Sequence, residues 1–171
     1  MKNLRKSLSL ILLLAASVSV YAQKASPAAT ATGKIGDATV KISYSSPAVK
    51  ERKIWGELVP YNKIWRAGAN EATIFETDKA LKIEGKELPA GKYSVYMLPT
   101  ESQWTIIFNS QVGQWGITRA GETTNDPKKD VLKVMVKPMK SKAFNERMTY
   151  EVNKKGFSLN WENLTVPVKI K

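Results

Sequence analysis

The sequence predicts an all-β protein, a single antiparallel β-sandwich of jelly-roll, immunoglobulin-like or flattened-barrel type. Three observations predict it. Short segments alternate apolar and polar residues with period 2, as Thr39-Val40-Lys41-Ile42-Ser43-Tyr44 does. Turn residues recur between such segments at short spacing, among them Gly36-Asp37, Gly85 and Pro89-Ala90-Gly91. No stretch of useful length carries apolar residues at helical spacing, and no repeat recurs at a fixed period.

Residues 1–22 stand apart from that domain and read as a signal peptide. Lys2, Arg5 and Lys6 form a basic start, Leu8 to Ala16 an apolar core, and Val20-Tyr21-Ala22 puts small residues at the two positions a signal peptidase reads. Ser17, Ser19 and Gln23 interrupt the apolar run before the roughly 20 residues that a spanning helix needs. Cleavage is expected after Ala22. The mature protein is then expected in the periplasm or outside the cell, with no transmembrane segment and no cysteine for lipid attachment.

Residues 23–36 are rich in Ala, Thr and Ser and read as a linker or a weak first strand; residues 37–171 read as the sandwich domain. Its expected strands are Thr39 to Tyr44, Ala72 to Thr77, Leu81 to Glu84, Tyr93 to Leu98 and Trp104 to Asn109, followed by Val131 to Lys137, Met148 to Val152, Phe157 to Trp161 and Thr165 to Ile170. A tight hairpin is expected at Glu84-Gly85 and another at Asn153-Lys154-Lys155-Gly156. Tyr93 and Tyr96 fall on opposite faces of one strand, so one core face can take only one of them. Trp55, Trp104 and Trp161 read as core residues, and Met97, Met135, Met139 and Met148 as core filler.

Between the first two strands lies a long excursion, residues 48–69, with Trp55, Tyr61 and Trp65 among glycines, a proline and charges. Its spacing fits neither a long helix nor a clean strand; one helical turn near Ile54 to Leu58 is expected. Long connections of this kind are uncommon in compact domains and often functional, and three large aromatics imply that this one is packed.

Charge and two absences restrict the function. The chain carries 27 basic and 15 acidic residues. The leader holds three of the basic ones and none of the acidic, which leaves the mature chain at +9. Such a chain is drawn to anionic surfaces, although its lysines look scattered over solvent faces of strands. Nucleic acid is not expected as a partner of an exported protein. There is no cysteine and no histidine. Disulfides, thiolate nucleophiles, sulfur-bound zinc, histidine-based triads and the usual transition-metal ligands are therefore excluded. Carboxylates do not cluster, and neither a metal nor a cofactor is predicted.

The stretch from Ile42 to Thr73 (ISYSSPAVKERKIWGELVPYNKIWRAGANEAT) resembles the bacterial family catalogued as domain of unknown function 2911. So do Leu88 to Asn109 (LPAGKYSVYMLPTESQWTIIFN), Gln114-Trp115-Gly116 and the closing LNWENLTVPVKI. Leu58-Val59-Pro60-Tyr61 with Trp65-Arg66-x-Gly68-Ala69-Asn70-Glu71-Ala72 is its signature. The resemblance implies an exported, β-rich protein and no known reaction. One position departs from the pattern: the family tends to carry arginine where this chain has Ser46.

The signature supplies the candidate binding residues: Tyr61, Trp65, Arg66, Asn70 and Glu71, with Trp115 as a second wall. A guanidinium suits a carboxylate, sulfate or phosphate group, an indole suits a sugar ring or aliphatic chain, and Asn70 and Glu71 suit hydroxyls. The same residues also suit a purely architectural role, with Trp65 capping the core, Arg66 and Glu71 paired with each other or capping strand-end carbonyls, Gly68 at positive φ and Asn70 bonding the local backbone. Three functions follow as expectations. The first is a non-catalytic module for a small, anionic or glycan-like ligand or an envelope protein partner. The second is a glycan hydrolase using carboxylates, with Glu57 and Glu71 as its pair. The third is a structural envelope module.

Overall fold

Period-2 alternation gives each strand one face that must leave water, and here six strands turn that face the same way. The computed structural model describes residues 25–171, so the expected leader lies outside the described residues. The strands are β1 (Ala28–Ile35), β2 (Ala38–Ser45), β3 (Thr73–Thr77), β4 (Leu81–Ile83), β5 (Lys86–Leu88), β6 (Gly91–Leu98), β7 (Trp104–Asn109), β8 (Asp130–Val136), β9 (Met139–Asn153) and β10 (Gly156–Lys169). One antiparallel sheet has the order β1-β2-β3-β6-β7-β8. Its inner face carries Val40, Ile42, Phe75, Val95, Ile106 and Phe108, all almost wholly buried. Register pairs Ile42 with Phe75, Phe75 with Tyr93, Val95 with Phe108, and Phe108 with Leu132, so apolar side chains line up across the sheet.

The second layer is the long hairpin β9-β10, extended at one side by β4-β5. Lys82 and Lys171 exchange backbone hydrogen bonds at 3.0 and 2.9 Å, and the Glu84 N–H donates to the Lys169 carbonyl at 2.9 Å. At the other side the chain that leaves β2 joins β9. The Met148 N–H donates to the Pro47 carbonyl at 2.9 Å, and the Val49 N–H to the Glu146 carbonyl at 2.7 Å. Pro47 does not stop the ladder there; it passes from one sheet to the other, at an edge where its missing N–H costs nothing. Ser46 is buried, and its hydroxyl donates to the Met148 carbonyl at 2.7 Å. That hydrogen bond holds the crossing.

Several expectations are corrected. Of the two readings of the Ala- and Thr-rich stretch, linker or weak first strand, the second is found: Ala28–Ile35 is a strand, β1, at the sheet edge, where weak apolar contrast is tolerated. The two apolar runs near the C-terminus are one strand. Glu162 sits at φ 52° where the β9-β10 register shifts, and this bulge moves the buried positions from Phe157, Leu159 and Trp161 to Val166, Val168 and Ile170. Tyr93 and Tyr96 do lie on opposite faces of β6, as expected, and both are buried because the outer face is covered as well: Tyr93 belongs to the main core, and Tyr96 packs with Ala72, Ile107 and Ile64. Met97 and Met148 are core, whereas Met135 and Met139 are exposed. The expected helical turn at Ile54 to Leu58 is a wider turn, closed by the Leu58 N–H on Lys53 and the Val59 N–H on Ile54.

Four indoles join the layers. Trp104 comes from β7, Trp161 from β10, and Trp55 and Trp65 from the excursion. Trp55 meets Trp104, Trp161 and Trp65 edge-on at 5.0, 5.6 and 6.1 Å, and Trp65 stacks on Trp161 at 6.0 Å. Such contacts add about 0.5–1.5 kcal/mol each beyond the burial itself.

Two turn glycines test how closely the chain packs at its turns; at Gly156 the start of β10 lies against the end of the same strand. A Cβ at Gly156, φ 138°, would lie 2.0 Å from the Val168 carbonyl oxygen, while at Gly85, φ 83°, it would meet nothing within 4 Å. Gly85→Ala is expected to cost about 1 kcal/mol, the left-handed strain alone. Gly156→Ala is expected to cost more than about 3 kcal/mol, because backbone must move. Urea unfolding of both variants measures the difference; equal losses refute the close approach.

Candidate functional site

The signature run Lys63 to Thr73 is a strand with a large loop pushed out of it. Trp65 and Met97 exchange backbone hydrogen bonds, both 2.8 Å, and Thr73 pairs with Val95. Those two partners flank a single residue of β6, Tyr96. The whole run Arg66 to Ala72 thus occupies one residue's place in the ladder. The Thr73 N–H donates to the Arg66 carbonyl at 3.3 Å and closes the neck.

The loop is fastened from several elements, since its buried polar groups need partners. Ala67 is fully buried at φ 55°. Its carbonyl accepts from the Thr73 hydroxyl and from the Tyr150 hydroxyl of β9, each at 2.9 Å. The Trp65 indole donates to the Gly68 carbonyl at 3.1 Å. The Asn70 amide, at φ 56°, donates to the Ser26 carbonyl and the Ser45 hydroxyl, each at 3.1 Å. Left-handed backbone therefore falls on Ala67 and Asn70, not on Gly68. Gly68 is required for another reason: a Cβ there would sit 2.7 Å from the Thr73 hydroxyl.

The opposing wall is the segment between β7 and β8. Buried Asn109 anchors it, its amide donating to Asn125, the Asp126 carbonyl and Asp130 at 3.0, 2.9 and 2.7 Å. Within the segment Ile117 bridges Thr123. Gly116 presses on the signature loop, and a Cβ there would lie 2.9 Å from the Cβ of Arg66. The Arg66 guanidinium donates to the Trp115 carbonyl at 3.2 Å and lies 5.7 Å from the Trp115 ring centre, a cation–π contact. No Arg66–Glu71 ion pair forms. Partial burial pushes the guanidinium below its ordinary pKa, and the Glu71 charge opposes that shift; it stays protonated at any ordinary pH.

Between the loop and this wall lies a cavity of about 600 Å³. Trp65, Trp161, Leu58, Ile64 and Ile117 give it apolar sides, and Arg52, Lys63, Arg66 and Glu122 its charges. Of the six residues predicted from sequence, Trp65 and Arg66 line it. Trp115 backs Arg66 from behind. Tyr61 packs on Gly56 and the core, Asn70 is a fastener, and Glu71 borders a separate depression of about 240 Å³. Glu57 pairs with Lys53 at 3.1 Å, so neither member of the expected carboxylate pair reaches the cavity. Sequence reasoning missed Lys63, Ile64, Arg52 and the Ile117 to Thr123 wall. Lys63 and Ile64 adjoin the signature and were within reach, whereas the wall is brought in only by β7 and β8. Trp161 is the core residue expected, 1% exposed, and also part of the lining. Its indole N–H, like that of Trp55, is buried with no acceptor in the protein. Among the described residues no cluster of carboxylates suits a metal ion, and no helix is long and apolar enough to cross a membrane.

Fold and site together define a class: an antiparallel β-sandwich with an indole-sided, cation-bearing cavity beneath a looped-out strand. The chain belongs to the family described as "Protein of unknown function (DUF2911)", whose model matches residues 26–170. No curated protein and no solved structure matches it.

The Ala67 carbonyl gives a test of the fastening. Tyr150→Phe and Thr73→Val are each expected to cost about 1 kcal/mol. Together they strand a buried carbonyl and cost more than their sum; a double-mutant cycle by urea unfolding shows whether they do. Tyr150 also sets an alkaline limit. Burial and the nearby Tyr44 hold its hydroxyl far above the ordinary tyrosine range. An unfolded tyrosine ionises near pH 10, so the folded state's advantage is intact below that value and shrinks above it, by up to about 1.4 kcal/mol per pH unit. Melting temperatures followed above about pH 10 are expected to fall less steeply for Tyr150→Phe than for the parent chain; parallel curves refute the assignment.

Proposed function

We propose that this protein is a non-catalytic binding module, exported behind its N-terminal leader, that holds a small ligand in the cavity beneath the Arg66–Ala72 loop. The ligand has a planar or aliphatic body and a carboxylate, sulfate or phosphate group. One observation carries the reading: the cavity sets the Trp65 and Trp161 indoles beside three cations, Arg52, Lys63 and Arg66, against one carboxylate, Glu122. Apolar sides with a few convergent polar groups are what small-ligand sites use. Arg52 is occupied, donating to the Ala48 and Val49 carbonyls at 2.6 and 3.0 Å. Arg66 spends one N–H on Trp115, and the rest of its fork is open to an anion. A single carboxylate in the lining does not supply the pair that glycan hydrolysis requires.

Thermal shift of the purified chain tests this against hydrophobic carboxylic acids, acidic sugars and their neutral esters or amides. A ligand at about 100 times its Kd adds about 2.7 kcal/mol and raises the melting temperature by roughly 5–10 °C. The acids are expected to do so, and the neutral analogues and the Arg66→Ala variant to lose most of the shift. If acid and ester stabilise alike, or if Arg66→Ala keeps the whole shift, the anion site at Arg66 is wrong.

A further inference from the structure

A second surface lies away from the cavity, along β8, the last strand of the six-stranded sheet, and the start of β9. From Pro127 to Asn145 the chain carries Lys128, Lys129, Lys133, Lys137, Lys140 and Lys142, all exposed. The one acid in that stretch, Asp130, has a side chain only 5% exposed and is neutralised by Lys133 at 2.8 Å. The partner strand adds one more, Glu162, opposite Asn145 at the far end. The lysines are not scattered here, as composition suggested; this is the most one-sided run of charge among the described residues.

Apolar side chains are interleaved with them. Of the seven large hydrophobic residues exposed among the described residues, Leu58, Val112 and Trp115 sit on the loops around the cavity. The other four, Val131, Met135, Met139 and Phe144, fall in this stretch, and Met135 is 63% and Phe144 56% exposed. The arrangement follows from the strands. β8 ends the sheet and buries Leu132, Val134 and Val136, so Val131, Lys133 and Met135 face outward. The chain then turns at Lys137-Pro138 into the first half of β9, Met139 to Phe144, where no residue is buried.

We propose that this surface docks the protein on an anionic phospholipid bilayer. Exposed methionine and phenylalanine between lysines is the composition of interfacial anchors, in which apolar side chains enter the headgroup boundary and lysines meet lipid charge. A soluble polyanion would be met by the lysines alone and gives Met135, Met139 and Phe144 no role. The reading is independent of the cavity and its ligand.

Co-sedimentation of the full chain with vesicles of phosphatidylcholine, with and without about 30% phosphatidylglycerol, tests it. Binding is expected only with the anionic lipid and is expected to weaken with salt. Lys140→Glu with Lys142→Glu is expected to lower partitioning by roughly 30-fold or more, and Phe144→Ser with Met139→Ser several-fold. Lys154→Glu with Lys155→Glu, in the β9-β10 turn, makes the same change in net charge elsewhere and is expected to have much less effect. The chain has no cysteine, so Ala143→Cys can carry one environment-sensitive dye, whose emission shifts blue on insertion. All variants change exposed positions, and unchanged melting temperatures establish that they fold. The proposal is overturned if neither vesicle binds, if both charge-reversal pairs weaken binding equally, or if Phe144→Ser with Met139→Ser has no effect while dextran sulfate competes fully. That last result would make the surface a polyanion site.

Discussion

The contact on which the rest depends is the meeting of four indoles between the layers. Trp104 belongs to the six-stranded sheet and Trp161 to the hairpin that faces it, while Trp55 and Trp65 come from the long connection between β2 and β3. Without Trp55, which touches the other three edge-on, that connection would have no reason to lie in the mouth of the sandwich. Its two large aromatics bury apolar surface that offsets the conformational entropy of ordering so long a segment. The same cluster supplies sides to the cavity. The candidate site is thus the unfilled margin of a core, not a separate feature placed on it.

Position of the site follows from a mismatch in the ladder beside β6. Trp65 and Thr73 take places on one side of that strand with a single residue's place, opposite Tyr96, between them, Trp65 opposite Met97 and Thr73 opposite Val95. The intervening loop leaves the sheet and needs anchors: its Ala67 and Gly68 carbonyls accept from Thr73, Tyr150 and Trp65, and its Asn70 amide donates to the Ser26 carbonyl. Held from both layers, it presents Arg66 at a fixed place beside the cavity. Gly116 and Trp115 complete that hold from the far side, and no substitute for glycine fits against the Arg66 stem.

Much of this was legible in the residues. Alternation around Val40, Phe75, Val95 and Phe108 gave the strands and the buried face, and the mixture of Trp65, Arg66 and Gly68 marked where the pattern failed. The pairing of Arg66 with Glu71 was not borne out, because neighbours in sequence on a looped-out segment need not face each other. Glu71 turns toward β1 and β2 and Arg66 toward Trp115. Tyr96 marks a related limit: alternation put it rightly on the face opposite Tyr93, but alternation does not tell whether a loop covers that side.

By itself, the sequence determined an all-β chain, the membership of its family, the exclusion of histidine and cysteine chemistry, and the stretch that borders the cavity. Period-2 patterning and residue chemistry are local, and a single chain records them completely. Tertiary structure alone decided that β10 is one bulged strand, that Trp161 and the Ile117 to Thr123 wall join Trp65 and Arg66 around one cavity, and that Met135, Met139 and Phe144 stand in water. Each of these depends on which distant segments pack against a residue. That is set by the closure of the two layers on the indole cluster, a long-range outcome that no window of the sequence contains.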